Sequence, residues 1–450
     1  MCIKAADGHV SFHSRFRWVF CQLDTLRQRL PHNIARVLSQ LPESLDETYE
    51  RVLKEIGKAN RHHAYRLLQC LAVSIRPLRL EELAEILAFD FDNNGDGVPE
   101  LKEDWRWEDQ QEAVLSTCSS LITVVGGSSQ SVVQFSHFSV KEFLTSDRLA
   151  ASSAAVSNFY IISEPAHTVI AKTCLGTLLQ SDDGVGPLAK YAARHWVDHA
   201  QFEKVSTRLE DGMRRLFDPA EPYFEDWLKL YDIDEGWKTF ADRGGERHGS
   251  PLYYASMCGF YDLTADLIYE HPGQVNDKCG RSLSPLVAAL HQRHFDVAEL
   301  LCQHGADVGI TSFGNRTLLH AASVDGSVDI AEWLLAHGAD AMIQQDNGDT
   351  PLHLAARHGQ LEFVWMLIAL GIIVDVRNKA QRTSLHLASE LGHVKIVRLL
   401  SQCGADMASH NNPLHLAPSI RSPQSAEILV EDAADSDVDD LREIPGTLTA

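Results

Sequence analysis

The phrase Thr350-Pro351-Leu352-His353-Leu354-Ala355-Ala356, closed by Gly359, recurs in degraded form along the C-terminal half of this 450-residue chain. Copies begin at Ser250, Ser284, Thr317, Thr383 and Asn412, so successive heads lie 34, 33, 33, 33 and 29 residues apart. No other feature restricts the fold as much. A unit of this length cannot bury its own apolar face, so it must stack on its neighbours in a quasi-linear array. Such an array presents one long exposed surface. It implies a binding protein rather than a catalyst.

The fourth copy shows how each unit works. Asn347-Gly348 makes a turn, Thr350 is placed to cap an inner helix, and Pro351 falls in the first turn, where no amide bond is lost. Leu352, Leu354, Ala355 and Ala356 give that helix a small apolar face, and Gly359 is placed to end it as a left-handed C-cap. Phe363, Val364, Leu367 and Ile368 carry an outer helix, and Gly371 closes the unit. Units two, three and five end in Gly305-Ala306-Asp307, Gly338-Ala339-Asp340 and Gly404-Ala405-Asp406. A turn plus two short helices headed by T-P-L-H-x-A is the ankyrin signature, read here as about six repeats over residues 246–430. Some units depart from it. Tyr253-Tyr254 stands where His-Leu is usual, Arg293 fills a glycine slot, and Pro418 falls inside the sixth inner helix.

Inner-helix ends and inter-repeat turns are not fixed by stacking, so they are free to suit a partner. The expected contact residues are Val324, Asp325, Arg357, His358, Glu390 and Leu391 on the inner helices. Thr311, Phe313, Gln345, Asp346, Asn378 and Lys379 are their counterparts in the turns. The expected partner is a protein seated on the concave face and turns. His320, His353, His386 and His415 recur once per repeat, yet packed helices lie roughly 8–10 Å apart and zinc needs nitrogens at about 2.0–2.1 Å. A hydrogen bond near the repeat-head threonine is the expected role, and no metal is expected.

Net charge is −22, of which residues 1–245 carry −9, 246–430 carry −7 and 431–450 carry −6. Nucleic-acid partners, which need clustered cations, are not expected. Residues 431–450 read as an acidic disordered tail. The longest uncharged apolar run, Phe363 to Val374, is too short to span a bilayer, and no membrane association is expected. Nine cysteines without a C-x-x-C pair fit reduced thiols in a cytoplasmic or nuclear compartment.

The front half has no repeats. Leu26, Leu30, Ile34, Val37, Leu38 and Leu41 recur at helical spacing, and further helices are read over 44–56, 61–73 and 80–87. An acidic loop covers 90–104. Residues 121–125 and 132–135 flank Gly126-Gly127-Ser128-Ser129 as a hairpin, followed by a helix from Val140 to Leu149. Helices closed by a hairpin and then a helix outline a winged-helix domain. DNA binding would require a basic recognition helix, whereas Leu80–Leu87 carries Glu81, Glu82 and Glu85.

Four phrases sharpen this outline: Phe16-Arg17-Trp18-Val19-Phe20-Cys21-Gln22-Leu23-Asp24, Leu41-Pro42-Glu43-Ser44-Leu45-Asp46-Glu47-Thr48-Tyr49-Glu50, Arg76-Pro77-Leu78-Arg79-Leu80-Glu81-Glu82-Leu83 and Phe135-Ser136-His137-Phe138-Ser139-Val140-Lys141-Glu142-Phe143-Leu144. With Tyr191-Ala192-Ala193-Arg194-His195-Trp196, the chain resembles fungal NACHT–ankyrin proteins, NOD-like receptor relatives of the signal-transducing NTPase (STAND) class. The resemblance implies a remnant helical subdomain (1–37), a winged-helix-like domain (38–150), a helical subdomain and linker (151–245) and then the repeats. It also places His137 where related receptors touch the β-phosphate of bound ADP. The phosphate cradle G-x-x-x-x-G-K-[ST] occurs nowhere in the 450 residues. The chain is therefore expected to lack the family's NTPase core and to use no cofactor.

Other candidates for chemistry are outweighed. Asp90 to Asp96 imitates half of an EF-hand loop, but position twelve is Leu101 rather than glutamate. His195 and His199 lie one turn apart without the glutamate of H-E-x-x-H. No nucleophile has a G-x-S-x-G context. The fold class is mainly α, a winged-helix and helical module followed by an ankyrin solenoid. The expected function is a non-enzymatic protein-binding scaffold, the sensor part of a fungal NLR-like signalling system. The alternative is the regulatory half of a NACHT switch whose P-loop core lies upstream or elsewhere.

Overall fold

The computed structural model describes residues 44–91, 97–127, 131–180, 186–234, 249–280 and 284–405. The chain divides into two compact units, the first running to Pro251 and the second taking up nearly all that follows. The expected segment 1–37, the sixth repeat and the acidic tail lie outside the described residues.

The first unit opens with α1 (Leu45–Glu55), capped by Ser44, whose hydroxyl accepts from the Glu47 amide at 3.1 Å. It continues through α2 (Arg61–Val73), β1 (Leu78–Arg79), α3 (Leu80–Ile86), the paired strands β2 (Phe89–Asp90) and β3 (Glu100–Leu101), and α4 (Gln110–Cys118). The hairpin β4 (Ile122–Val125) and β5 (Val132–Phe135) follows. β5 is central, pairing antiparallel with both neighbours, so that Val133 faces Leu78 on one side and Val124 on the other. Helices α2, α3 and α4 pack on this sheet in winged-helix order.

Helix α4 is the element that periodicity missed. Its start is nevertheless marked by Asp109-x-x-Glu112, in which the Asp109 carboxylate accepts from the Glu112 amide at 2.9 Å. The expected helix from Val140 to Leu149 is instead two, α5 (Phe138–Leu144) and α6 (Asp147–Ala150). Thr145 and Ser146 divide them. Their hydroxyls donate to the carbonyls of Lys141 and Phe143 at 2.9 Å and satisfy the last turn of α5.

Next come α7 (Ala154–Ser157), α8 (Ser163–Leu178), α9 (Ala189–Ala200), α10 (Glu210–Phe217) and α11 (Tyr223–Leu230). Helix α8 packs on α9 and α2. Trp196 and Trp227 meet edge to face at 5.3 Å among Phe217 and Phe224, and the Trp227 indole donates to the Ala193 carbonyl at 2.9 Å.

The second unit is five helix pairs among the described residues: α12 (Pro251–Cys258) with α13 (Tyr261–Glu270), α14 (Pro285–His291) with α15 (Phe295–Gln303), and α16 (Leu318–Asp325) with α17 (Val328–Ala336). Then come α18 (Pro351–His358) with α19 (Leu361–Ala369), and α20 (Ser384–Leu391) with α21 (Val394–Gln402). Inner helices α16, α18 and α20 stack on one another, as do outer helices α17, α19 and α21. Leu352, Leu354, Ala355 and Ala356 are buried between them. Gly326, Gly359 and Gly392 end the inner helices at φ of 76°, 77° and 77°, the left-handed region. No helix among the described residues is long and apolar enough to cross a membrane.

Leu352→Ala is expected to cost about 2–5 kcal/mol in chemical denaturation and to loosen the neighbouring repeats, because stacking couples them. Phe313 is fully exposed at 103 %, so Phe313→Ala should leave the unfolding midpoint unmoved. Equal losses would invalidate this division of core and surface.

Candidate functional site

Any recognition surface on the array is what remains after its internal bonds are formed. At the head of each typical repeat, histidine takes the place of the glutamate in a capping box. The His353 Nδ1 accepts from the Thr350 amide at 3.2 Å and from its hydroxyl at 2.8 Å. His320 with Thr317 and His386 with Thr383 repeat the arrangement. An accepting Nδ1 leaves the proton on Nε2, which donates to the next unit. His320 reaches the Asp349 carbonyl at 3.2 Å, and His353 reaches that of Arg382 at 3.0 Å. His320 and His353 therefore join one repeat to the next, with both ring nitrogens engaged in hydrogen bonds, and His415 lies outside the described residues. Among the described residues no metal-ligating cluster is formed.

A second bridge closes the other end of the inner helices. Gln360 donates to the Val324 carbonyl at 2.7 Å, His393 to that of Arg357 at 2.9 Å, and His294 to that of Met257. These side chains lie against the C-cap glycines. A Cβ on Gly326 would meet Gln360 at 2.4 Å, and one on Gly359 would meet His393 at 2.8 Å. Glycine serves twice there, for positive φ and for this close approach.

The expected contact residues separate into two groups. Asp325, His358 and Leu391 are exposed at matching positions of three inner helices, and Phe313, Asp346 and Lys379 are exposed in three turns. Val324, Thr311 and Gln345 are half-buried. Glu390, also half-buried, is paired with Arg382 at 2.5 Å. Asn378 requires correction: it is 5 % exposed and structural. Its amide donates to Asp349 at 2.6 Å, while its oxygen accepts from the amides of Ala380 and Arg382. Arg357 is tied to the same carboxylate at 3.1 Å.

Asp349 is the residue that sequence reasoning passed over. It is fully buried and also takes a hydrogen bond from Asn347 at 2.9 Å. Asn347-Gly348-Asp349-Thr350 carried the signal, since a carboxylate before the cap can reach both neighbouring turns.

In the first unit, His137 is the N-cap of α5. Its Nδ1 accepts from the Ser139 amide at 3.2 Å and contacts the Ser139 hydroxyl at 2.6 Å, and that hydroxyl lies 2.8 Å from the Tyr49 phenol. Asp90 is buried in β2 opposite Glu100, while 92–96 lie outside the described residues. His199 is buried between the Tyr191 hydroxyl and His167, each at 2.9 Å, and His195 faces Asp198 at 3.0 Å. The pair one turn apart thus has separate partners. Glu82 and Glu85 are buried too, paired with Arg76 at 2.6 Å and Arg106 at 2.5 Å. They present no acidic face to repel DNA, so that argument against DNA binding fails. The helix entering the hairpin is α4, which carries Glu112 and no lysine or arginine.

Comparison with known proteins follows these boundaries. Residues 252–345, 318–411 and 372–440 match the family model for ankyrin repeats, and the last match runs ten residues into the acidic stretch. Residues 49–157 match the model described as the winged helix domain of GPI inositol-deacylase. The azaphilone pigments biosynthesis cluster protein L of Monascus ruber is 30% identical over 333 residues, 67% of this chain and 69% of that protein. The chain belongs to that family. Alpha-latrocrustotoxin-Lt1a of Latrodectus tredecimguttatus is 40% identical over 62 residues, 14% of this chain and 4% of the toxin. Ankyrin repeats generally mediate protein–protein interaction, which is the role the family's solenoid supports here.

Asp349→Ala leaves Arg357 and Asn378 without their shared acceptor and is expected to cost about 1.5–3 kcal/mol, the range for bonds to a charged group. A loss near zero in denaturant titration would show that Asp349 is no hub. Burial holds the His320 and His353 imidazoles below their ordinary 6.5, and burial beside His167 and His195 pushes His199 down to about 3. The unfolded chain binds these protons near 6.5 and the folded chain does not. Stability is therefore full above that pH and falls below it. The unfolding free energy should decline from about pH 7.5 to 5.5, less steeply in His353→Gln. An unchanged slope in that variant would exclude His353 as a contributor.

Proposed function

We propose that the chain is a non-catalytic recognition scaffold, the sensor part of a fungal NLR-like signalling system such as non-self recognition. The observation that carries this reading is the set Asp325, His358, Leu391, Phe313, Asp346 and Lys379. These residues are exposed at equivalent positions of successive repeats. Their chemistry changes from acid to imidazole to aliphatic along one row, and from aromatic to acid to cation along the other. A surface fitted to one irregular protein partner has that character. The missing phosphate cradle supports a chain that does not hydrolyse nucleotide, and the winged-helix and NACHT-like phrases support the signalling half. The Monascus relative's name supports a narrower version, in which the recognised partner works with a pigment-type biosynthesis cluster.

The second reading is the regulatory half of a nucleotide switch, with the P-loop core upstream or in another chain. His137, half-buried on the winged helix, favours it through the family resemblance. A P-loop in frame upstream of Met1 in the genomic DNA decides for it.

Replacing the six exposed residues by alanine is expected to abolish capture of a protein that the intact chain retains from an extract of its own cells, at unchanged melting temperature. Loss that maps instead to residues 44–234 would refute the repeat surface. Purified chain should hydrolyse ATP and GTP no faster than buffer. A magnesium-dependent rate that co-purifies with it would end the non-catalytic reading.

A further inference from the structure

The second residue of α13 is already acidic, Asp262, and the outer helices keep this pattern through four repeats and reverse it in the fifth. The second residue of α15, α17 and α19 is Asp296, Asp329 and Glu362, a carboxylate at the positive end of the helix dipole. The second residue of α21 is Lys395. One turn further on, Glu299 and Glu332 occupy the solvent-facing slot, but Trp365 and then Arg398 follow them. In the earlier repeats such carboxylates find partners, Asp329 with Arg293 and Glu299 with His337. Among the described residues neither Lys395 nor Arg398 forms an ion pair.

The three exceptional residues meet. Trp365, Lys395 and Arg398 line a groove of about 450 Å³ between α19 and α21 together with Leu361, Val394 and Leu399, and Glu362 and Gln402 complete the lining, so its cations outnumber its carboxylates two to one. Trp365 is 55 % exposed. Among the described residues folding gains nothing evident from them: a lysine in the first turn opposes the dipole, an exposed indole leaves apolar surface in water, and Arg398 has no acidic partner.

We propose that this groove is a second docking site, for a segment of a partner protein that carries a bulky apolar side chain flanked by carboxylates. The apolar side chain enters beside the indole, and Lys395 and Arg398 pair with the flanking carboxylates at the rim, as at interface hot spots. Charge complementarity selects the occupant. Two cations on a chain of net charge −22 are too few to track a phosphate backbone, but they match a short acidic segment. The site is on the outer helices and does not depend on the inner-helix surface proposed above.

The test is selection of a random phage-displayed peptide library on the intact chain, with counter-selection on the double variant Lys395→Glu/Arg398→Glu. Enriched peptides are expected to carry Asp or Glu around Leu, Phe or Trp. They should bind Trp365→Ala and the double variant at least about tenfold more weakly. Lys395→Glu restores a carboxylate to the first turn, so its melting temperature should stay level or rise, and lost binding cannot then be lost folding. The proposal falls if nothing is enriched, if the peptides lack carboxylates, or if the variants bind them equally. It falls also if binding is lost in the alanine variant at Asp325, His358 and Leu391. Retention of single-stranded DNA or anionic vesicles through Lys395 and Arg398, in place of acidic peptide, would show the partner class to be wrong.

Discussion

The second unit depends on side chains that satisfy backbone groups across the boundary between repeats. A helix of eight or nine residues leaves about as many orphan amides and carbonyls as it pairs internally, and stacked short helices would bury them at a cost of several kcal/mol. His320 and His353 remove the problem at one end by accepting from their own threonine and donating to the next turn. Gln360 and His393 remove it at the other. The imidazole suits the first role because, when neutral, one nitrogen accepts while the other donates. That is why burial and capping both require the uncharged ring.

The departures from the repeat pattern follow the same physics. Arg293 stands in a glycine slot at φ 64°, which costs of order 1–2 kcal/mol for a residue with a Cβ. The repeat after it carries Ser327 where others carry His294, Gln360 or His393. A larger side chain would meet the Arg293 Cβ, and the small serine avoids this. Arg293 then pairs with Asp329 instead. In the first repeat Tyr253 takes the histidine slot, and its ring lies where a Cβ on Gly280 would stand, 2.3 Å from the ring carbon that bears the hydroxyl. Arg293 and Tyr253 are each matched by a small residue across the boundary.

What the sequence made legible was what repeats. Helix register, the left-handed glycines and the cap threonines follow from local rules applied several times over, and so does the structural role of the histidines. The exposed row Asp325, His358 and Leu391 was legible for the same reason. Less legible was anything decided by a partner distant in the chain. Asn378 and Arg357 read as surface because their positions are on a turn and a helix end. They are occupied by Asp349, whose importance appears only when two turns are brought together. Helix α4 was lost because its buried residues Ala113, Val114, Thr117 and Cys118 are small and one of them is polar, although Asp109 announced it.

Charge misled in the same way. The excess of carboxylates implies an acidic exterior, yet Glu82, Glu85 and Asp349 are buried, and each is held by an arginine. Arg76 also lies over the Tyr191 ring at 4.9 Å, and the neighbouring Ile75 amide donates to the Tyr191 hydroxyl at 3.3 Å. One ion pair thus fastens α3 of the winged helix to α9 of the layer that follows. Breaking a pair of this kind by removing one member costs far more than the pair contributes relative to apolar packing. Its value is therefore better sought in the fixed orientation of α3 and α9 than in stability. In the repeats the opposite holds. Lys395 and Arg398 reverse the local sign and pair with no carboxylate among the described residues, which is the charge we propose a ligand meets.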